Sequence, residues 1–166
     1  MFQLKRLSPN AIDAAIEKAK QYRALNEPRE AESICRDILV ADPHHHEARI
    51  QLILALSDQF GEKLGQALEE SRTLIAKLPS EYEQAYYSGL VAERRAKAQL
   101  ARGTPGAGSV AYEGLRRAMQ EYERAESLRP AGDDNAILRW NTCARLIMDN
   151  HHLRPEPTDH PSPMLE

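Results

Sequence analysis

The sequence predicts an all-α protein built as an α-solenoid, in which antiparallel helix pairs stack along one axis. Three observations lead to this expectation. One spacing of small and apolar residues occurs three times within 166 residues. Helix-capping signals are frequent, whereas the alternating pattern typical of strands is nearly absent. Aromatic residues make up only 5% of the chain, so Ala, Leu and Ile must build most of the core, a composition that favours helices over strands.

The repeated spacing is found in "AESICRDILVADP", "ALEESRTLIAKLP" and "AMQEYERAESLRP". Offsets of 4 and 3 place three side chains on one helix face, and a Pro five residues later ends the helix. Each copy is therefore predicted to be the second helix of a pair. Because one pair cannot bury its apolar face alone, the pairs are expected to stack. The three copies are Ala31, Cys35, Ile38 and Pro43; Ala67, Ser71, Leu74 and Pro79; and Ala118, Tyr122, Ala125 and Pro130.

Local signals delimit the first four helices. Ser8 and Pro9 indicate a cap and a first helical position. Pro28 begins the second helix, which ends at "ADP". The third helix follows three consecutive histidines and is interrupted by Gly61, and the fourth is predicted over residues 63–77. These short connections indicate that neighbouring helices run antiparallel.

Three further helices follow. Ser80 and Glu83 form a capping box that opens a long fifth helix. "GTPGAGS" is a loop by composition, and Ser109 is predicted to cap the sixth helix. The seventh helix is expected to begin near residue 133 and to end at Asn150. With no partner of its own, this last helix would close the stack as a C-terminal cap.

Composition bounds the domain organisation and the partners. The predicted helical domain covers residues 1–150, and the Pro-rich, polar segment 151–166 is predicted to be a disordered tail. A net charge of -3 provides no general attraction to phosphate backbones, so no nucleic-acid partner is expected. There is no apolar stretch of membrane-spanning length, which predicts a cytoplasmic protein without a membrane partner. The two cysteines are expected to be reduced core residues.

The positions of small, large and Pro residues resemble the tetratricopeptide repeat (TPR) family over roughly residues 10–150. That family has small or large side chains at set places and a Pro near the end of each repeat. The chain matches it with about three repeats and one capping helix. Besides the three copies above, the matching positions in the first helices are Ala19 with Tyr22, Ile53 with Leu56, and Gly89 with Ala92.

The repeat spacing departs from the family period of about 34 residues. Pro43 and Pro79 are 36 residues apart, and Pro79 and Pro130 are 51 apart. The second interval therefore exceeds the period by about 17 residues, which we divide between longer fifth and sixth helices. Each of these two helices is expected to be longer by about two turns, or ~10 Å. The third pair is therefore predicted to project as a helical hairpin tipped by "GTPGAGS".

No motif in the chain supports catalysis. "GTPGAGS" lacks the Lys and the preceding strand of a phosphate-binding loop. The histidines of the triplet 44–46, and His151, His152 and His160, have no Cys or carboxylate at metal-ligand spacing. Neither a nucleophile elbow nor a Cys–His signature is present. We therefore predict no enzyme activity, no catalytic residue, no cofactor and no metal site.

The TPR resemblance implies a concave groove lined by the first helix of each pair, which holds a peptide or a helix of a protein partner. The ordinary alternative is that the apolar members of this set only pack between helices. Their alignment across three helices favours the groove, because exposed apolar stripes are typical of interaction sites. The groove positions are Ile16, Lys20, Arg23, Ile50, Leu54, Tyr86, Leu90 and Arg94.

The leading functional hypothesis is a non-enzymatic interaction module, an adaptor or scaffold. A second hypothesis is a docking subunit of an enzyme complex whose chemistry lies in a partner chain. A third is a self-associating structural protein, in which the hairpin or the last helix forms a homodimer. The sequence leaves the choice between the groove and the hairpin as the main binding surface open.

Overall fold

The computed structural model describes residues 1–157, and within them the chain is all-helical with no strand. The predicted all-α class is confirmed. A short 3-10 turn at Pro9–Ala11 precedes the first helix. The α-helices are α1 (Ile12–Ala24), α2 (Pro28–Ala41), α3 (His46–Asp58), α4 (Leu64–Ala76), α5 (Glu81–Ala101), α6 (Ala107–Leu128) and α7 (Asn135–Asp149).

The capping box predicted at the start of α5 is present. The backbone N–H of Glu83 donates to Ser80 Oγ at 3.1 Å, and Ser80 Oγ donates to a carboxylate oxygen of Glu83 at 3.0 Å. Pro28 occupies the first turn of α2, where its missing N–H has no intrahelical partner to lose. Asn26, at φ 60°, makes the turn between α1 and α2. These local signals therefore act where the sequence places them.

The start of α6 differs from the prediction, because Ser109 does not cap it. The helix begins at Ala107, and Ser109 already lies in its first turn. Gly106 adopts φ 78°, a left-handed conformation that glycine reaches without a steric penalty. This turn brings the N–H of Ala107 to 3.0 Å from the carbonyl of Thr104. The glycine turn, rather than a side-chain cap, sets the beginning of the helix.

The helices pack in sequence, each against the next, and a second set of contacts links alternate helices. α1 contacts α3, α3 contacts α5, and α5 contacts α7. These four helices therefore lie side by side, and we call them the first-helix layer. α2 and α4 form ion pairs with each other, as between Arg36 and Glu70 at 2.7 Å. The first-helix layer is the surface that carries the predicted groove.

α5 and α6 are the longest helices, with 21 and 22 residues against 13 or 14 in α1 to α4. Their contact is extensive and unusually close. A Cβ on Gly89 would lie 2.8 Å from the Tyr122 ring, and a Cβ on Gly114 would lie 2.9 Å from Ala96 Cβ. No helix among residues 1–157 combines the length and apolar character needed to cross a bilayer.

The segment that follows α7 corrects one prediction, because its first residues are folded onto the domain. Leu153 is only 4% exposed and packs in the core cluster formed by α5, α6 and α7. Its N–H donates to the Asn150 carbonyl at 2.9 Å, and the N–H of His152 donates to the Asn150 side chain at 3.0 Å. Burial of the Leu153 side chain against this core therefore holds the turn that follows α7. The rest of the predicted tail, residues 158–166, lies outside the described residues.

We predict that Gly89→Ala destabilises the protein although Ala is the better helix former. The new Cβ would overlap the Tyr122 ring, which is 0% exposed and cannot move aside. Overpacking of this kind costs about 1–3 kcal/mol, which exceeds the helix-propensity gain of about 0.5–1 kcal/mol. The measurement is the midpoint of urea unfolding.

Gly65→Ala is the matched control. Gly65 lies in the first turn of α4, and a Cβ there would have no neighbour within 4 Å. Its substitution should leave the unfolding midpoint unchanged or raise it slightly. Equal stabilities of the Gly89→Ala variant and the wild type would contradict the close packing of α5 against α6.

Candidate interaction surface

The first-helix layer brings together residues from three of its helices. Arg23 at the end of α1 donates to Asp58 of α3 at 2.9 Å, and a guanidinium nitrogen of Arg94 in α5 forms an ion pair with the same carboxylate at 2.7 Å. Arg94 also donates to the Leu54 carbonyl at 2.9 Å and to Ser57 Oγ at 2.6 Å. The predicted residues Arg23, Leu54 and Arg94 are therefore neighbours in the folded chain.

Two of the predicted groove residues are buried and act in packing. Ile16 is 4% exposed and packs with Ile38 and Ala48, and Leu90 is 5% exposed. A side chain with so little exposed surface has almost nothing left to bury against a partner. At these two positions the structure favours inter-helix packing, the alternative that the sequence left open.

The apolar residues that remain partly accessible are Ile50, Leu54 and Tyr86, each of them half-buried. The Tyr86 ring packs edge-on against Tyr87, with centroids 5.1 Å apart, and lies 5.9 Å from the Tyr122 ring. Burial raises the pKa of Tyr86 and raises that of Tyr87 to about 12. Both phenols therefore stay protonated and uncharged at neutral pH.

The three predicted cationic residues are all engaged in ion pairs within the chain. Lys20 contacts Glu17 at 2.8 Å and also contacts Glu47. The hydrogen bond that Lys20 donates to the Glu17 carboxylate is the main reason that the pKa of Lys20 is raised. Arg23 and Arg94 share Asp58. Burial lowers the pKa of Arg94, although Asp58 acts in the opposite direction. The layer is thus charge-balanced rather than positive.

The buried carboxylate of Glu93 in α5 contacts side chains from α6 and α7. Glu93 is 0% exposed and accepts a hydrogen bond from the Tyr122 hydroxyl at 2.7 Å. Lys97 and Arg139 complete its shell at 2.5 and 3.1 Å. Burial, reinforced by the negative charge of Glu93, raises the pKa of Tyr122. This cluster, which we call the Glu93 network, joins α5, α6 and α7.

Sequence reasoning missed the Glu93 network, although a signal for it exists. Glu93 follows Ala85 and Gly89 at intervals of four residues and precedes Ala96 by three. It therefore lies on the small-residue face of α5, where a carboxylate needs partners from another helix. The partners themselves, Tyr122 and Arg139, lie 29 and 46 residues away in the sequence and could not be identified from the pattern.

The histidines have structural contacts. His45 Nδ1 accepts a hydrogen bond from the Ala48 N–H at 3.0 Å and so caps α3. His46 Nε2 lies 2.7 Å from Glu83 at the start of α5. The rings of His151 and His152 lie 4.0 Å apart. Over the described part of the chain, no group of three or more His, Cys, Asp or Glu side chains is placed to hold a metal ion.

Comparisons with known proteins return no relative. No family model matches the chain, and neither a curated protein nor a solved structure matches it. The residues and contacts above are consequently the basis on which a function can be argued.

We expect Glu93→Gln to lower the free energy of unfolding by about 2–4 kcal/mol, since it removes the anion from a buried network and leaves two cations without it. Tyr122→Phe should cost about 1 kcal/mol, the value of one hydrogen bond. Because the two residues contact each other, the double variant should lose less than the sum of the single losses. Urea unfolding measures all three variants. Glu113→Gln, at an exposed position of α6, is the control and should leave stability unchanged.

The two cysteines are free and buried, as predicted. Burial raises the pKa of each thiol from 9.0 to about 12. At pH values above about 9 the unfolded chain releases thiol protons that the folded chain retains, so stability should fall as the pH rises from about 9 to 12. Urea unfolding across this range tests the expectation, and Cys143→Ala should make the decline shallower. An unchanged pH dependence in this variant would contradict the role of the thiol.

Proposed function

We propose that the chain is a non-enzymatic protein–protein interaction module, a TPR-like adaptor or scaffold in the cytoplasm. Its helix pairs form an α-solenoid of about three repeats with α7 as the cap, and it holds a peptide or helical segment of a partner against the first-helix layer. The observation that carries the proposal is the side-by-side contact of α1, α3 and α5, with Ile50, Leu54 and Tyr86 still partly accessible on two adjacent helices.

The charge balance of this surface defines the partner segment. Lys20, Arg23 and Arg94 already have carboxylate partners, so recruiting them would break existing ion pairs. A strongly acidic peptide has little to gain from such a surface. The proposed segment is one whose affinity comes from apolar anchors, with polar side chains that join the rim formed by Arg23 and Asp58.

Support for a non-catalytic role comes from the contacts of the reactive residue types. His45 caps a helix, His46 pairs with Glu83, and both cysteines are buried with raised pKa values. Glu93, the buried carboxylate, is fully used by its partners. Each of these groups stabilises the fold instead of facing a substrate-sized space. A docking subunit of an enzyme complex would use the same surface, with the chemistry in another chain.

A self-associating structural protein is the second candidate, and α7 favours it. Leu138 is 62% exposed and Met148 is 80% exposed, and nothing in residues 1–157 covers either side chain of α7. Two copies joined through α7 would bury these side chains. Sedimentation velocity on the full chain separates this candidate from a monomeric adaptor.

The test of the interaction module begins with peptides selected from a displayed library on the immobilised full chain. The binding of a selected peptide is then measured by fluorescence anisotropy for the wild type and for the Ile50→Gln, Leu54→Gln double variant. Loss of real anchors should weaken binding by more than about thirtyfold, or about 2 kcal/mol. Val40→Gln is the control, because Val40 is 65% exposed on α2.

The urea midpoint of each variant is measured first, because Ile50 also packs against the core. If the double variant is unfolded, Leu54→Gln alone is used, with a smaller expected loss of about tenfold. A folded variant that binds the selected peptides with wild-type affinity would show that the first-helix layer is not the binding surface.

A further inference from the structure

A cleft of about 600 Å³ opens between α4 and α6, with α5 as its floor. Its apolar lining comes from all three helices and includes Leu68, Ile75, Val91 and Val110, with Gly114 on the α6 wall. On α5, the floor positions Ser88, Ala92, Arg95 and Gln99 recur at helical spacing. This face of α5 points away from Tyr86 and Arg94, so the cleft is separate from the first-helix layer.

Two stripes on α6 explain why the cleft is open. Buried residues at Ala111, Leu115 and Ala118 belong to the core with α5 and α7. The cleft residues Val110 and Gly114 each precede a buried residue by one position and so lie on the adjacent face, about 100° away. α7 packs against α6 on the core side. On the cleft side α4 forms a wall but does not close the gap.

The charges of the cleft are predominantly positive, although the whole chain has a net charge of -3. Its lining contains four arginines and two glutamates: Arg72, Arg95, Arg117, Arg124, Glu113 and Glu121. Arg72 pairs with Glu69 outside the cleft, and Arg124 lies 3.4 Å from Glu121.

Of the four cleft arginines, Arg95 and Arg117 are the two that form no salt bridge within residues 1–157. Arg95 is half-buried, and its Nε is buried without any hydrogen-bond acceptor in the described structure. A buried donor left without a partner costs about 1–3 kcal/mol. A carboxylate brought into the cleft would supply the missing acceptor and would neutralise the excess positive charge.

We propose that this cleft docks an acidic amphipathic helix of a partner protein. Residues Gln84 to Gln99 of the floor span about 22 Å, the length of roughly four helical turns. The apolar face of the docked helix would contact the exposed Val110 and the half-buried Ala92, in the helix-in-groove mode. Its Glu or Asp side chains would accept hydrogen bonds from Arg95 and Arg117, for which guanidinium groups are well suited.

The apolar side chains that α4, α5 and α6 contribute to the lining argue for a protein helix over a nucleic acid. Protein surfaces that bind nucleic acid have many cations that match a run of phosphates, whereas the four arginines here lie among apolar side chains from three helices. The cleft also differs from the charge-balanced first-helix layer, so the two surfaces would select different segments. The proposal does not depend on the function proposed for that layer.

The experiment measures binding of the full chain to a fluorescein-labelled helical peptide of about 16 residues. The peptide has Leu at i, i+4, i+7 and i+11 and Glu on the flanking positions. A matched peptide has Lys in place of every Glu. The acidic peptide should bind at least tenfold more tightly than the Lys peptide, and added salt should weaken its binding.

Variants of the cleft and of its surroundings locate the binding. Arg95→Gln with Arg117→Gln should weaken the acidic peptide at least tenfold, and Val110→Ser should weaken it through the loss of apolar contact. Arg116→Gln is the matched control, because Arg116 is exposed on α6 and does not line the cleft. Leu54→Gln, on the first-helix layer, should also leave the binding unchanged. If the Arg95 variant fails to fold, Arg117→Gln alone should still weaken binding, by about threefold.

Four results would overturn the proposal. Equal binding of the acidic and Lys peptides would exclude recognition of carboxylates. Wild-type affinity in the folded cleft variants would place the binding elsewhere. A dimer in sedimentation equilibrium that the Arg95 and Arg117 substitutions dissociate would assign the cleft to a second copy of this chain. Competition by a single-stranded DNA of equal charge, at equal affinity, would likewise overturn the assignment to a protein helix.

Discussion

The contact of Gly89 with the Tyr122 ring is the constraint on which the longest helix pair depends. Without a Cβ at residue 89, α5 and α6 approach so closely that the Tyr122 ring occupies the space that the Cβ would need. The Tyr122 hydroxyl then reaches Glu93, one helical turn further along α5. Arg139 reaches the same carboxylate from α7. The absence of a Cβ at residue 89 therefore allows side chains from α6 and α7 to reach the buried carboxylate of α5.

One face of α5 packs closely against α6. Its two other faces contribute to two different surfaces. One of these two joins the first-helix layer, where Arg94 donates to Ser57 of α3 and the Tyr86 ring packs against Tyr87. The opposite face becomes the floor of the cleft, where Arg95 and Ala92 are half-buried. Residues 94 and 95 are adjacent in the sequence yet serve surfaces of different charge. Arg94 has a carboxylate partner, whereas Arg95 has none among the described residues.

The distinction between these two arginines changes what can be expected of each surface. In the sequence alone, Lys20, Arg23 and Arg94 are three cations at predicted groove positions. They suggest a positive groove that would suit a segment with some acidic residues. Once folded, they are neutralised by Glu47 and by Asp58. Positive charge that is still open to a partner lies instead on the far side of α5. An acidic partner would consequently be directed to the cleft, and a more apolar one to the first-helix layer.

The sequence by itself determined the all-α class, the order of the helices and most of their ends, because periodicity, caps and Pro act within a few residues. Ser80 with Glu83, and Pro28, are examples of such local control. The tertiary structure decided which apolar positions are buried, as with Ile16 and Leu90, and which charges are paired. It also held Leu153 against the core, in a segment whose composition indicates disorder. These outcomes depend on contacts between residues far apart in the chain. Whether a side chain is buried or a charge is paired is set by neighbours that no local pattern specifies.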